Sequence, residues 1–228
     1  MRLVLFDIDG TLLWSDGAGR RSMTAALTEA AGSAGPAGYR YDGKTDGQIV
    51  RDLLAACGLD AAAIDAITPA IITRYLALLA DDLRERRLQL FPGVSELLDA
   101  VEADGDLTLG LLTGNVREGA ELKLRAAGVD FSRFRVGAFG SDHHERPELP
   151  AIAQRRFAES HGAAVAGDRV VVICDTPADI ACGRGIGARA IAVATGHFKV
   201  DDLASHGPAA VFASLEDTAA VMRAIRNE

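Results

Sequence analysis

Positive charge is in deficit in this chain, with 24 lysines and arginines against 32 aspartates and glutamates, a net charge of −8 and a pI near 5.2. That balance excludes a global basic field for nucleic acid, while leaving room for a locally positive site that takes a small anion. Cysteine is sparse and odd in number, with only Cys57, Cys174 and Cys182. Three thiols make no disulfide framework of the secreted kind, and the Cys174/Cys182 spacing does not match a structural zinc pattern. They read as free thiols in a reducing compartment. No apolar run approaches the length of a membrane span. The start, Met1-Arg2-Leu3-Val4, enters a strand pattern directly and shows neither the apolar stretch nor the cleavage site of a signal peptide. The expectation is a cytoplasmic protein, a monomer or homodimer, that engages neither membrane nor nucleic acid.

What is present is a strand–helix rhythm. A length of 228 residues suffices for one ample core, or for a core and a small accessory domain. Near-continuous apolar runs, the mark of strands covered on both faces, occur at Val4–Phe6, Leu107–Leu112, Val170–Ile173, Ala188–Val193 and Ala209–Phe212, with a weaker one at Arg135–Phe139. Helical patterns separate them at Val94–Glu102, Arg117–Ala127, Leu149–Ser160, Pro177–Arg184 and Leu215–Ile225. Several stop near a glycine, as Arg117–Ala127 does at Gly128. Alternation of this kind predicts a mostly parallel, three-layer α/β domain. Residues 14–90 break the rhythm, with helical patterns at Ala18–Ala31, Asp46–Ala56 and Ala61–Arg86, the last interrupted near Pro69, and no convincing strand. They predict an all-helical insertion over one sheet edge, giving a core of residues 1–13 and 91–228 and a cap of residues 14–90. No internal repeat is present.

Four places just beyond apolar strands carry chemistry, so one sheet edge can gather them. The first strand ends in Asp7-Ile8-Asp9-Gly10-Thr11. A carboxylate there can attack phosphorus while the second handles a proton; the plainer alternative is a turn cap and a solvated charge. Thr113-Gly114-Asn115 offers a hydroxyl and backbone N–H groups to phosphate oxygens, or else a simple helix cap. Asp175-Thr176-Pro177-Ala178-Asp179 places one carboxylate off a strand and another a helical turn on. With Asp7 they form a crowd of like charges that needs a cation, for which Mg²⁺ is the natural choice; the alternative is a cap and a local pair. Arg146, before Pro147, can supply positive charge beside the nucleophile, or it is an exposed arginine in a polar loop. His143 and His144 have no well-spaced third partner for a metal.

In their order and spacing these elements resemble the haloacid dehalogenase-like hydrolase superfamily over nearly the whole chain. The DxDGT motif stands as Asp7-Ile8-Asp9-Gly10-Thr11, the strand ending in threonine as Leu111-Leu112-Thr113, and the final acidic motif as Asp175 to Asp179, with Cys174 in place of the usual glycine. The helical insertion looks like the family's C1 cap. Phe91-Pro92-Gly93-Val94 and Gly43-Lys44-Thr45-Asp46 look like phosphoglycolate-phosphatase-like members. The resemblance implies a Rossmann-like, three-layer α/β core with a small all-helical cap inserted after the first strand. It implies a Mg²⁺-dependent phosphatase acting on a small phosphorylated metabolite, with Asp7 as nucleophile and Asp9 as acid, base and backbone metal ligand. Asp7 and Asp175 complete the metal set, with Asp179 in support. Thr113, Gly114, Asn115 and Arg146 then bind phosphate, and Lys44 reaches the substrate from the cap. The motif's usual lysine is replaced by Arg146, a flat fork in place of a point charge. Lys123 and Lys199 are poorly placed alternatives, Lys123 falling in a helix where solvation explains it. On the same core, a phosphomutase or a 2-haloacid dehalogenase are alternatives, and so is a non-catalytic small-molecule binding protein. The acid at Asp9 favours an alkoxide leaving group over a halide, and a phosphonate-cleaving Schiff base lacks a suitably placed lysine.

Overall fold

The computed structural model describes residues 1–86 and 88–228. It is an α/β core with a parallel sheet and an inserted all-helical cap. The central sheet has six parallel strands: β1 (Arg2–Phe6), β4 (Leu107–Thr113), β5 (Val136–Phe139), β6 (Val170–Cys174), β7 (Arg189–Val193) and β8 (Ala210–Phe212). Their spatial order is β5-β4-β1-β6-β7-β8, so β1 lies between β4 and β6. Phe6 registers with Leu111 on one side and Ile173 on the other. The chain therefore leaves β1, β4 and β6 at adjacent points of the sheet's carboxyl edge, where ligands bind in open α/β sheets.

Leu3, Val4, Leu5 and Phe6 are all fully buried, because both faces of β1 are covered. Alternate side chains of β1 enter two separate apolar clusters, Val4 and Phe6 on one face, Leu3 and Leu5 on the other. Burial on this scale contributes about 1.5–3 kcal/mol per large aliphatic side chain. One cluster includes α4 (Val94–Ala103), α5 (Arg117–Ala126) and α9 (Thr218–Arg226); the other includes α6 (Leu149–His161) and α7 (Pro177–Cys182).

The cap consists of α1 (Ala18–Ala31), α2 (Asp46–Ala56) and α3 (Ala61–Arg84). Thr45 and Asp60 cap α2 and α3, their side chains accepting from the N–H groups of Gln48 and Ala63. The expected interruption at Pro69 does not occur, and α3 runs unbroken through it. Its buried stripe of Ile64, Ile71, Tyr75, Leu79 and Leu83 keeps helical register across the proline, so packing outweighs one missing bond. By length and composition α3 is apolar enough to cross a membrane, contrary to the expectation that no segment is. In this fold its apolar residues pack against α1, α2 and α5.

Two strands absent from the sequence reading flank the cap. Leu13–Trp14 (β2) and Gln89–Leu90 (β3) pair antiparallel, tying the outgoing and returning chain together at the base of the insertion. A short helix, α8 (Val200–Ala204), was also unforeseen. The last helix begins at Thr218, not Leu215, because the Asp217 carboxylate accepts from Ala220 N–H and sets its start.

Candidate active site

Asp7 follows β1 directly, its N–H donating to the Ile173 carbonyl at 3.0 Å, so the residue still belongs to the sheet. Gly10 then turns the chain with φ 83°, and a Cβ there would lie 2.1 Å from Asp175 Oδ2. Glycine is needed both for the left-handed backbone and for that close approach. Carboxylate oxygens of Asp7, Asp175 and Asp179 all lie within 4.8 Å of one another, and all three residues are buried. Thr11 Oγ1 donates to Asp175 Oδ1 at 3.1 Å, and Thr176 Oγ1 donates to Asp179 Oδ2 at 2.6 Å.

Arg146 is 4 % exposed and points inward, not to solvent. Its Nη2 lies 3.2 Å from Asp7 Oδ2, and its Nε pairs with Asp179 Oδ1. Neither contact is an aligned hydrogen bond, so charge more than hydrogen-bond geometry holds the arginine between the two carboxylates. Burial disfavours the guanidinium charge, but Asp179 and Asp7 outweigh it and hold the group fully protonated. One cation against three carboxylates leaves the cluster short of positive charge. Burial first, then Asp7 and Asp179, push the Asp175 carboxyl well above the usual range, with Thr11 and Arg146 offsetting only part. The all-oxygen donor set and this residual negative charge fit a hard divalent cation. The three carboxylates can hold one, and they support enzymatic activity in general.

The Asp9 side chain does not join that cluster. It faces the neighbouring cavity, of about 490 Å³, which is also lined by Asp7, Arg146 and Lys123 from the core and by Lys44 and Tyr75 from the cap. Ser15 donates to Asp9 Oδ1 at 2.8 Å, while Asn115 Nδ2 and Lys123 Nζ donate to Oδ2 at 2.9 and 2.5 Å. Burial alone would raise the Asp9 carboxyl, but Lys123, Asn115 and Ser15 together hold it below the ordinary carboxylate range. Thr113 is buried and accepts from Asn115 Nδ2 at 2.8 Å, so its hydroxyl is oriented by the same network. Lys44 reaches the cavity, but its ammonium is engaged by Asp52 at 3.0 Å and by Tyr39 Oη at 2.8 Å. His143 and His144 stack on each other outside the acidic cluster.

The profile of the haloacid dehalogenase-like hydrolase family matches residues 4–184. The chain belongs to that family. Its curated relatives include a phosphoglycolate phosphatase of Rhodospirillum rubrum, 30 % identical over 227 residues, spanning 95 % of this chain and 90 % of the relative. A CbbY crystal structure from Rhodobacter sphaeroides, in complex with phosphate, superposes with a TM-score of 0.69 at 20 % identity, covering 95 % and 96 % of the two chains. A Thermotoga maritima protein described as a candidate β-phosphoglucomutase superposes at 0.59 with 20 % identity, covering 98 % and 99 %. At those identities the two solved structures speak for the fold alone.

Two residues that line the cavity escaped the sequence reading. Lys123 is 3 % exposed, not the solvated helix lysine expected. The sign was there, since α5 buries Gly119, Ala120, Lys123 and Leu124 at helical spacing, which puts the lysine on the apolar stripe. The other is Asp46, at the cap–core seam. Its N–H donates to the Gly114 carbonyl and its Oδ2 accepts from Val116 N–H, both at 2.8 Å. Beside it a Cβ on Gly114 would lie 2.1 Å from the Lys44 carbonyl, so only glycine lets the cap close this tightly.

Burial, assisted by Asp9, pushes the Asp46 carboxyl up to about 6, against the pull of Lys123 and the Val116 N–H. Such a group favours the folded, docked state most when protonated. Its contribution is complete below the unfolded value near 4 and is lost as pH rises through about 6. Asp46→Asn keeps the acceptor for Val116 and removes the titration. The variant's stability, followed by urea unfolding, should exceed that of the wild type increasingly from pH 4 to 7, reaching on the order of 2 kcal/mol. Parallel pH profiles for the two proteins would refute the assignment.

Proposed function

We propose that this chain is a Mg²⁺-dependent phosphatase that hydrolyses a small, phosphoglycolate-like phosphate monoester through an aspartyl phosphate. The observation that carries the reading is the pairing at the end of β1, where Asp7 sits against Arg146 and the acidic cluster while Asp9 sits two residues on, over the adjacent cavity. This arrangement supports Asp7 as the carboxylate that meets phosphorus and Asp9 as the one that serves the leaving oxygen.

In the first step an Asp7 oxygen forms a bond to phosphorus as the ester oxygen departs, and Asp9 delivers the proton that the departing alkoxide takes up. Lys123 keeps Asp9 ionised in the resting site. The incoming phosphate, being anionic, offsets that pull and favours proton uptake by Asp9. In the second step Asp9 removes a proton from water, whose oxygen bonds to phosphorus and releases Asp7. The Arg146 guanidinium, which lines the cavity beside Asp7, binds the phosphoryl oxygens together with Thr113 and the backbone N–H groups of Gly114 and Asn115. Asp7, Asp175 and the Asp9 carbonyl, with Asp179 in support, would hold Mg²⁺, which when bound would neutralise charge at those oxygens.

The phosphoglycolate-like substrate finds support in the R. rubrum relative, and the three free cysteines suit a reducing, cytoplasmic setting. The test is phosphate release from a metabolite phosphate panel that includes phosphoglycolate, with Mg²⁺ and with excess chelator. Turnover should fall to background on chelation and return on adding Mg²⁺. Phosphate release unaffected by the chelator would refute the metal requirement. Transfer of phosphate to an added sugar phosphate, with none to water, would make the protein a mutase.

A further inference from the structure

Lys123 has no step of its own in that scheme, yet it is the lysine buried deepest against the site. It stands on a helix stripe otherwise made of Gly119, Ala120 and Leu124, where an aliphatic side chain would satisfy packing without the desolvation of a charge. Its Nζ donates to Asp9 Oδ2 at 2.5 Å and to Asn115 Oδ1 at 2.6 Å. Asn115 in turn donates to Asp9 Oδ2 and to Thr113 Oγ1. Ser15, at the base of the cap, holds the other Asp9 oxygen. Asp9 is therefore gripped by donors from three segments: the loop after β2, the loop after β4, and α5. The same ammonium lies under the cap, since a Cβ on Gly19 of α1 would be 3.2 Å from it and 3.7 Å from Tyr75 Oη of α3.

We infer that Lys123 is the positioning residue for Asp9, fixing its carboxylate on the cavity wall where the leaving oxygen and the attacking water pass. Two cations then serve two carboxylates: Arg146 holds the nucleophile, Lys123 the proton carrier. The inference rests on the phosphatase reading above. It differs from a general structural role in which step it affects. Asp9 moves a proton in both steps, but a good leaving group departs without one. Loss of Lys123 therefore spares aspartyl phosphate formation from an aryl ester and impairs everything else.

The test compares the wild type with Lys123→Met in rapid-quench assays, using p-nitrophenyl phosphate and phosphoglycolate with Mg²⁺. Formation of the aspartyl phosphate from p-nitrophenyl phosphate should stay within about threefold of wild type. Its hydrolysis should slow by roughly 10²-fold, so that nitrophenol appears in a burst approaching one equivalent. With phosphoglycolate, turnover should fall by roughly 10²-fold or more with no burst and little change in KM. Lys123→Gln, which leaves a neutral donor near Asp9, should lie between the two proteins and carries the same test if the methionine variant does not fold. An equal loss on both substrates without a burst, or wild-type turnover on both, overturns the role of Lys123 alone. Wild-type protein that releases phosphate from neither substrate overturns the phosphatase reading and this role with it.

Discussion

Asp7→Asn should abolish phosphate release, by at least about 10⁴-fold, while leaving the protein folded. The amide cannot form the acyl phosphate, and nothing nearby can stand in. Asp9 is bound by Lys123, Asn115 and Ser15, while Asp175 follows a different strand, β6, and Asp179 lies beyond it in α7. The stability outcome distinguishes this loss from unfolding. Asp7 contributes to the repulsion that drives Asp175 and Asp179 upward, so removing its charge relieves the cluster. It also takes one of two partners from Arg146, which keeps Asp179. The melting temperature in metal-free buffer should therefore equal or exceed that of the wild type. Acid-quenched wild-type protein should carry labelled phosphate from substrate, and the variant none. Retained turnover with the full metal requirement would exclude Asp7 as the nucleophile.

The core was legible because fully buried parallel strands leave continuous apolar runs, and β1, β4 and β6 all end in polar motifs at one edge. Asp7, Thr113, Asp175 and Asp179 were placed by that logic, since a strand end fixes where the next residue goes. Residues on helices and in the seam were harder. A lysine in Arg117–Ala126 sits among glutamates and arginines, which masks its place on the stripe of Ala120 and Leu124, and a cap helix lying over it completes its burial. Asp46 looks like an ordinary first-turn carboxylate of α2, as it is, and its second partner, Val116, is 70 residues away. The two-residue strands β2 and β3 are too short for any periodicity and exist because the insertion's two ends must meet. Arg146 was legible by position and ambiguous by type. Its orientation was decided by packing, because a buried arginine survives only beside carboxylates.

That orientation makes Arg146 the second position of large effect. Arg146→Met keeps most of the side-chain length and removes the charge, leaving Asp7 and Asp179 buried without their shared partner. Breaking a buried ion pair by removing one member costs about 3–5 kcal/mol, and urea unfolding at pH 7 in chelator should show a loss of that size. The penalty depends on negative charge, so two conditions should reduce it. Mg²⁺ added to the same buffer supplies a replacement cation to the three carboxylates. Acidification protonates the raised carboxyls of Asp175 and Asp179 early, so the variant should recover ground on the wild type as pH falls from 7 toward 5. Turnover should drop by at least about 10²-fold, because the variant also removes the positive charge that lines the cavity beside Asp7. Arg146→Lys separates charge from shape: a single ammonium cannot span Asp7 and Asp179 as the fork does. Its stability should be only partly restored, while its turnover, which needs one positive charge near Asp7, should recover further than its stability. A methionine variant as stable as the wild type in chelator would mean that the cluster is neutralised without Arg146, and the electrostatic account of the site would fail.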